Sequence, residues 1–133
     1  MTLSNPVTEI LNGIQHGDII PYLGPGALEG VRNTADDTAI PADSESLILA
    51  MNDCKPMAPR LMYEFPRAAM NLELKKGRKF IERFLTTTYG DKQWSQSALH
   101  SWLAELRPKF VIDTNRDTQL QKMYSSTPHH LVV

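Results

Sequence analysis

The sequence predicts an α/β fold with a parallel sheet of about three strands and a large helical segment between the first and second strands. Three short apolar runs are typical of strands: residues 18–23, 109–112 and 130–133. Long stretches with helical periodicity separate them, and strands joined by such connections pair in parallel through crossovers. At 133 residues, 41% of them hydrophobic, the chain is long enough for one hydrophobic core.

The first helix has clear signals for its start and its end. Asn5 can cap it, Pro6 suits the first helical position, and apolar residues recur on one face. Gly17 suits the left-handed conformation that ends many helices. The run 18–23 is then predicted as a buried strand, although its Pro21 is usually confined to strand edges, ends or bulges.

The segment between the first two strands is mostly helical by its pattern. Residues 29–43 are polar and interrupted by glycine and proline, which predicts a long loop, either a lid beside a site or a disordered stretch. Ser44 can cap a short helix that ends at Met51. Residues 60–88 continue the helical pattern with a break near Gly77.

The C-terminal third alternates helix and strand again. Residues 96–106 have the apolar stripe of a helix, and 109–112 form the second apolar run. The polar segment 113–117 follows, with a helix predicted to start near Thr118. The run 130–133 is predicted as the third strand.

A sheet of only three strands would leave long open edges, which proteins usually pair or cover. We therefore expect residues 1–133 to form a single domain that is the N-terminal part of a longer α/β domain. The chain is expected to form a homo-oligomer or to associate with a missing C-terminal part.

Composition excludes several classes of function. Lysine and arginine total 14 against 15 acidic residues, a net charge of -1, so electrostatics predict neither a nucleic-acid partner nor a membrane partner. Cys54 is the only cysteine, which rules out an intrachain disulfide and argues against a metal site of the zinc type. No apolar run approaches about 18 residues and no secretory leader is evident, so a cytoplasmic protein is expected.

Two polar segments should lie at one edge of the predicted sheet. The turn "GPGAL", residues 24–28, follows the first strand, and "DTNRD", residues 113–117, follows the second. The carboxyl ends of parallel strands meet at the same edge, where α/β proteins bind ligands. We call these two segments together the rim. A glycine-rich turn beside an Asn and an Asp is typical of a nucleotide site.

These segments resemble those of the sirtuin-like family, particularly its divergent bacterial branch. That family has a G-A-G-x-S turn after its first strand, where this chain has "GPGAL", and T-Q-N-x-D or T-T-N-x-D after a later strand, where this chain has "DTNRD". The stretch "SALHSWLAELRPKFVIDTN" is similar to the family's helix and strand between them, with His100 in the helix. The resemblance covers roughly residues 15 to 120.

The resemblance implies an NAD-binding domain with a partial Rossmann-like parallel sheet. Carried over by position, Gly24 and Gly26 would approach the pyrophosphate of NAD. Asn115 would lie near the nicotinamide ribose and help to place the attacking group, and Asp117 would hold the nicotinamide carboxamide. The remaining residues that the resemblance assigns are Ala27 and Thr114 for cofactor binding and His130 for catalysis.

The chain also departs from the family pattern. Pro25 removes one N–H from the turn, Leu28 replaces a hydroxyl residue, and Asp113 replaces a threonine. The family's catalytic histidine lies downstream of the Asn-x-Asp element, where this chain has His129 and His130 at close range. The family's four-cysteine zinc module cannot form, so lysine deacylation is the least expected activity.

Two functions are left open by the sequence. In the first, the intact protein cleaves the nicotinamide–ribose bond as an NAD glycohydrolase. Alternatively, it is a catalytically degenerate domain that binds a nucleotide or a protein. The site residues also have structural alternatives. Gly24 and Gly26 can form a plain strand-to-helix turn. Asn115 and Asp117 can form an Asx turn that caps the next helix, and His100 can be a buried structural histidine.

Overall fold

The computed structural model describes residues 5–125, which form two compact units. The sheet unit comprises the residues up to Glu29 together with those from Gln96 onward. The helical unit comprises Gly30–Ser95. The predicted strand at 130–133 lies outside the described residues, and the prediction of one domain over 1–133 stays a prediction.

The described chain is mixed α/β and mostly helical. Its helices and strands, in chain order, are α1 Pro6–His16, β1 Tyr22–Leu23, α2 Ser44–Met51, α3 Pro59–Met62, α4 Phe65–Lys76, α5 Arg78–Leu85, α6 Ala98–Leu106, β2 Ile112–Asp113 and α7 Gln119–Ser125. A 3₁₀ turn follows β1 at Pro25–Leu28, and a π-type segment follows α5 at Thr86–Asp91.

The predicted parallel pairing of the first two strands is confirmed. Tyr22 pairs with Ile112 and Leu23 with Asp113 in a two-stranded parallel sheet. A Rossmann-like sheet needs further strands, and it stays a prediction.

Helix α1 has the predicted caps. The Asn5 side chain accepts a hydrogen bond from the Val7 N–H at 3.1 Å, and Gly17 ends the helix in the left-handed conformation with φ 88°. A Cβ on Gly17 would also lie 2.8 Å from Cδ of Lys109. Local cap chemistry therefore fixes both ends of this helix.

The buried strand predicted at 18–23 is wrong in extent, because only Tyr22–Leu23 is strand. The N–H groups of Asp18 and Ile19 both donate to the Gly13 carbonyl, at 2.9 and 3.0 Å. They complete the end of α1 instead of a sheet ladder. Likewise the second strand is Ile112–Asp113 rather than 109–112.

One face of the sheet is packed and the residues of the other are exposed. Leu23, Ala27, Leu103 and Leu120 form the core of the sheet unit. Tyr22, by contrast, is 71% exposed. Other large apolar residues around the strands are also exposed: Ile19, Ile20, Phe110 and Ile112.

The segment 29–43 is a loop, and a short antiparallel bridge joins Arg32 to Ala39 within it. The Asn33 side chain accepts from the Ala35 N–H at 2.7 Å, an Asx turn that fixes the tip. Val31 and Ile40 are buried. The loop is thus folded within the helical unit by its own hydrogen bonds.

The start of α2 differs from the prediction by one residue. Asp43, not Ser44, is the cap: its carboxylate accepts from the Ser46 N–H at 2.7 Å. Ser44 is the first helical residue, and its buried Oγ has no hydrogen-bond partner. A carboxylate at this position also complements the helix dipole.

These two neighbours should respond differently to replacement by alanine. Asp43→Ala is expected to lower the free energy of unfolding by about 1 kcal/mol, since it removes the cap. Ser44→Ala is expected to leave it unchanged or raise it slightly, because a buried hydroxyl without a partner is removed. Urea unfolding of the two variants checks this. A larger loss in Ser44→Ala would show that the serine is the cap after all.

Candidate functional site

The parallel pairing brings the two segments of the rim together. The Thr114 N–H donates to the Leu23 carbonyl at 3.1 Å, and the Thr114 hydroxyl donates to the same oxygen at 2.7 Å. Thr114 is thereby anchored to the residue that precedes Gly24. The segments 24–28 and 113–117 therefore lie next to each other, as expected where two parallel strands end at the same edge of a sheet.

Asn115 ties the two segments of the rim to each other. Its Nδ2 donates to the Gly24 carbonyl at 2.9 Å and to Oδ1 of Asp113 at 3.0 Å. Its backbone N–H donates to the same Asp113 oxygen at 3.0 Å. Both amide hydrogens are used within the chain, so Asn115 has its carboxamide oxygen left as an acceptor for a ligand.

The turn 24–28 has open space at its two glycines. A Cβ built on Gly24 or on Gly26 would meet no heavy atom within 4 Å. Gly24 has φ -106°, a value open to any residue. A glycine at position 24 is therefore not required by crowding within the chain or by a left-handed backbone. It is compatible with the close approach of a ligand.

The remaining groups of this turn face inward or are already bonded. The Ala27 N–H donates to the Gly24 carbonyl at 3.1 Å, and Ala27 and Leu28 are buried. Since Pro25 has no N–H, Gly26 is left to supply an N–H from the turn to an anion. Leu28 packs in the interior instead of supplying a polar group.

Asp117 is a buried carboxyl that is hydrogen-bonded through one oxygen. It is 7% exposed, and its Oδ2 accepts from the Gln119 N–H at 3.1 Å, at the start of α7. Oδ1 has no partner. Burial raises the pKa of Asp117, the Asp113 charge raises it further, and the Gln119 N–H and the His100 charge oppose the rise.

The Asp117 side chain should therefore make stability depend on pH. With its folded pKa raised above 3.8, the folded state holds this proton more tightly, and stability falls as pH rises through the folded pKa. Asp117→Asn removes this loss, and its amide oxygen can still accept from Gln119. We expect the variant to melt at a higher temperature than the parent near neutral pH. Below pH 3.8 the difference should vanish; a difference that is equal at both pH values would contradict this.

Ser97 and Gln119 complete the site, and sequence reasoning missed both. The Ser97 hydroxyl donates to the Ala27 carbonyl at 2.7 Å, and the Ser97 N–H donates to Oε1 of Gln119 at 3.2 Å. Ser97 also caps α6, accepting from the His100 N–H at 3.4 Å. A serine directly before an apolar helical pattern is the signal that could have found it.

Of the histidines considered for the site, the structure describes His100 but not His129 or His130. His100 is fully buried in α6, with no partner for either ring nitrogen. His129 and His130 lie outside the described residues, so the catalytic role predicted for His130 stays a prediction. Asp117 does make the Asx-type bond that was its structural alternative, accepting from the Gln119 N–H. The Asn115 side chain does not: it donates through Nδ2, and the Asx-type bond before it is made by Asp113, which accepts from the Asn115 N–H.

Several other classes of site can be addressed within residues 5–125. No group of three or more His, Cys, Asp or Glu side chains in that range could hold a metal ion. None of the helices described there has the length and apolar character needed to cross a membrane.

Comparison of the chain with models of protein families, with curated proteins and with solved structures found no match.

The rim fits parts of an NAD molecule and not others. The open Cα surfaces of Gly24 and Gly26 can admit a pyrophosphate. The carboxamide oxygen of Asn115 can accept from an amide or a ribose hydroxyl. Oδ1 of Asp117 has no partner but is buried, so a ligand would reach it only if the surrounding side chains moved. The turn, however, offers few N–H donors because of Pro25.

Proposed function

We propose that this chain is an NAD-binding domain of the sirtuin-like type, with NAD bound along the rim. The observation that carries the proposal is the open space at Gly24 and Gly26 next to Asn115, which donates to the Gly24 carbonyl and keeps its carboxamide oxygen as an acceptor. In this arrangement the two glycines adjoin the pyrophosphate. The nicotinamide end lies toward Asn115 and Asp117.

The reaction that this arrangement suits best is hydrolysis of the nicotinamide–ribose bond. Water adds to the ribose carbon, the bond to the nicotinamide nitrogen breaks, and ADP-ribose, nicotinamide and a proton result. Positive charge develops on the ribose as nicotinamide leaves. The Asp113 carboxylate and the Asn115 oxygen, held by the bonds between these two residues, would stabilise that charge and place the water.

Release of nicotinamide, measured by chromatography, tests the reaction, and calorimetry tests binding. Asn115→Ala is expected to weaken NAD binding about five- to tenfold, as for the loss of a single polar contact, and to abolish nicotinamide release. Melting curves recorded in parallel show whether the variant is folded, since Asn115 also bonds to Gly24. A parent chain that does not bind NAD and does not release nicotinamide would refute the proposal.

A second candidate is a domain that binds a nucleotide, or a protein partner, without chemistry. The departures at the turn favour it: Pro25 has no N–H, and the buried Leu28 occupies the family's hydroxyl position. Calorimetry and chromatography distinguish the candidates, because this one predicts binding of NAD with no nicotinamide released by the parent chain.

Association of the chain with itself, or with a C-terminal part, remains a proposal supported by the uncovered side of the sheet. Parallel sheets are usually buried on both faces, whereas Tyr22, Phe110 and Ile112 are exposed here. A cytoplasmic location stays a prediction.

A further inference from the structure

Helix α4 is apolar on two opposite sides, and only one of them is packed within the chain. Ala68 and Leu72 are buried, and Ala68 belongs to a core cluster of the helical unit. Met70 and Leu74, by contrast, are 63% and 84% exposed. At about 100° per residue, these two lie on the side of the helix opposite to Leu72. A surface helix usually has one apolar side, so packing within the helical unit does not account for the second.

We call this second side the outer stripe and define it as Arg67, Met70 and Leu74 of α4, with Tyr63 before the helix. The spacings of three and then four residues, from Arg67 to Met70 to Leu74, are those of a seam between two helices. Tyr63 is 81% exposed and lies two residues before the first residue of α4. Single exposed apolar residues are ordinary, whereas a contiguous row of them is typical of an interaction surface.

The charges beside the outer stripe differ between the two ends of α4. The N-terminal end has Glu64, whose carboxylate lies 2.8 Å from Nε of Arg67. The C-terminal end has Lys75, which forms no ion pair of 4.0 Å or less with the residues that the structure describes. Two antiparallel copies of α4 place Glu64 of each copy near Lys75 of the other, and their helix dipoles are opposed. The outer stripe is thus complementary to itself in antiparallel order.

We propose that the outer stripe is a docking surface for a second copy of this chain, with the two α4 helices packed antiparallel about a two-fold axis. In this contact Met70 of each copy packs against the aliphatic part of Arg67 of the other, and Leu74 packs against Tyr63. The guanidinium of Arg67 keeps its own Glu64 as partner. Contacts between identical patches about such an axis are the commonest kind of homodimer.

The size of the contact predicts a weak dimer. Helix α4 has 12 residues, or about three turns. One helix face of that length buries less than the roughly 800 Å² per partner of a standard interface. We therefore expect a dissociation constant of about 10–100 μM.

The dimer goes beyond the proposed function, because it involves neither NAD nor the rim. It also assigns self-association to the helical unit rather than to the exposed residues around the strands. The two surfaces belong to different units, so each can be changed separately. Failure of NAD binding would leave the dimer untouched, and a monomeric chain would leave NAD binding untouched.

Analytical ultracentrifugation of the ligand-free chain, over a roughly hundredfold range of concentration around that dissociation constant, tests the dimer. Leu74→Lys is expected to weaken self-association about 10- to 100-fold, because the burial of a leucine is lost in each copy. Tyr22→Lys, at an exposed residue of β1, is the control and is expected to change nothing. Both side chains are exposed, so both variants should fold, which melting curves check.

A charge exchange tests the antiparallel order. Glu64→Lys and Lys75→Glu are each expected to weaken self-association about three- to tenfold, since each puts like charges at both ends of the contact. An equimolar mixture of these two variants is expected to associate about as strongly as the parent. Only the mixed dimer places opposite charges together at both ends.

Three results would overturn the proposal. A parent chain that stays monomeric at every concentration would leave the outer stripe to a partner of another kind. Self-association that Tyr22→Lys weakens and Leu74→Lys leaves intact would place the contact at the sheet. A mixture of the two charge variants that associates no better than either one alone would exclude the antiparallel contact.

Discussion

Leu103→Ala is expected to lower the free energy of unfolding of the sheet unit by about 2–5 kcal/mol, the range for truncating a buried leucine. Leu103 is 1% exposed in α6, and it belongs to the core cluster with Leu23, Ala27 and Leu120. Its side chain therefore supports β1, the turn after it and α7 at once. Because whole small domains are stable by only about 5–15 kcal/mol, this loss is a large share of the total stability and should shift the urea midpoint far to lower concentration.

Leu99→Ala is the matched control, since it makes the same truncation one turn earlier on the same helix. Leu99 is 38% exposed, so less apolar surface returns to water and the loss should be below about 1 kcal/mol. Urea unfolding followed by tryptophan fluorescence compares the two in a Trp94→Phe background, in which Trp102 on α6 is the one tryptophan left. Equal losses in both variants would mean that the core does not centre on Leu103.

The helix ends were largely predictable from the sequence because their signals are local. The Asn5 cap and the Gly17 end of α1 depend on residues within one turn of the helix. The same reasoning placed the cap of α2 on Ser44 rather than on Asp43. Both residue types cap helices well, and only the backbone geometry decides between adjacent candidates.

The strands were less predictable because an apolar run does not reveal what covers it. Residues 18–23 have the composition of a buried strand. However, the N–H groups of Asp18 and Ile19 end α1, and Ile19 lies over Gly13, where a Cβ would come within 2.6 Å of Cδ1 of Ile19. Competition between a helix end and a sheet ladder for the same N–H groups is a tertiary effect.

The candidate site was predictable in its placement but not in its contacts. Parallel pairing was enough to bring the Gly24 turn to Thr114 and Asn115. The bonds of Ser97 to Ala27 and to Gln119 join residues 70 and 22 positions apart, and no local pattern encodes such partners. The buried state of Asp117 was equally hidden, since sequence alone placed it in a polar segment.

Gly26→Val is expected to weaken NAD binding about 10- to 100-fold while the protein stays folded. The space beside the Gly26 Cα is open in the protein itself, with no heavy atom within 4 Å of a built Cβ, so the larger side chain disturbs no packed neighbour. If the pyrophosphate of NAD occupies that space, the added methyl groups overlap it. Overpacking of this kind costs about 1–3 kcal/mol, which corresponds to that loss of affinity.

A series of side chains of increasing size at Gly26 tests contact with the ligand directly. Asn115→Ala cannot do this, because Asn115 is bonded to the Gly24 carbonyl and its loss also disturbs the turn. Gly26→Ala should weaken NAD binding less than Gly26→Val. Gly90→Ala, in the helical unit, adds a Cβ no closer than 4.0 Å to Thr86 and should leave binding unchanged. Calorimetry with NAD and melting curves on all three variants check this. An affinity for NAD that Gly26→Val leaves intact would place the nucleotide elsewhere, because no ligand can share the volume of the new side chain.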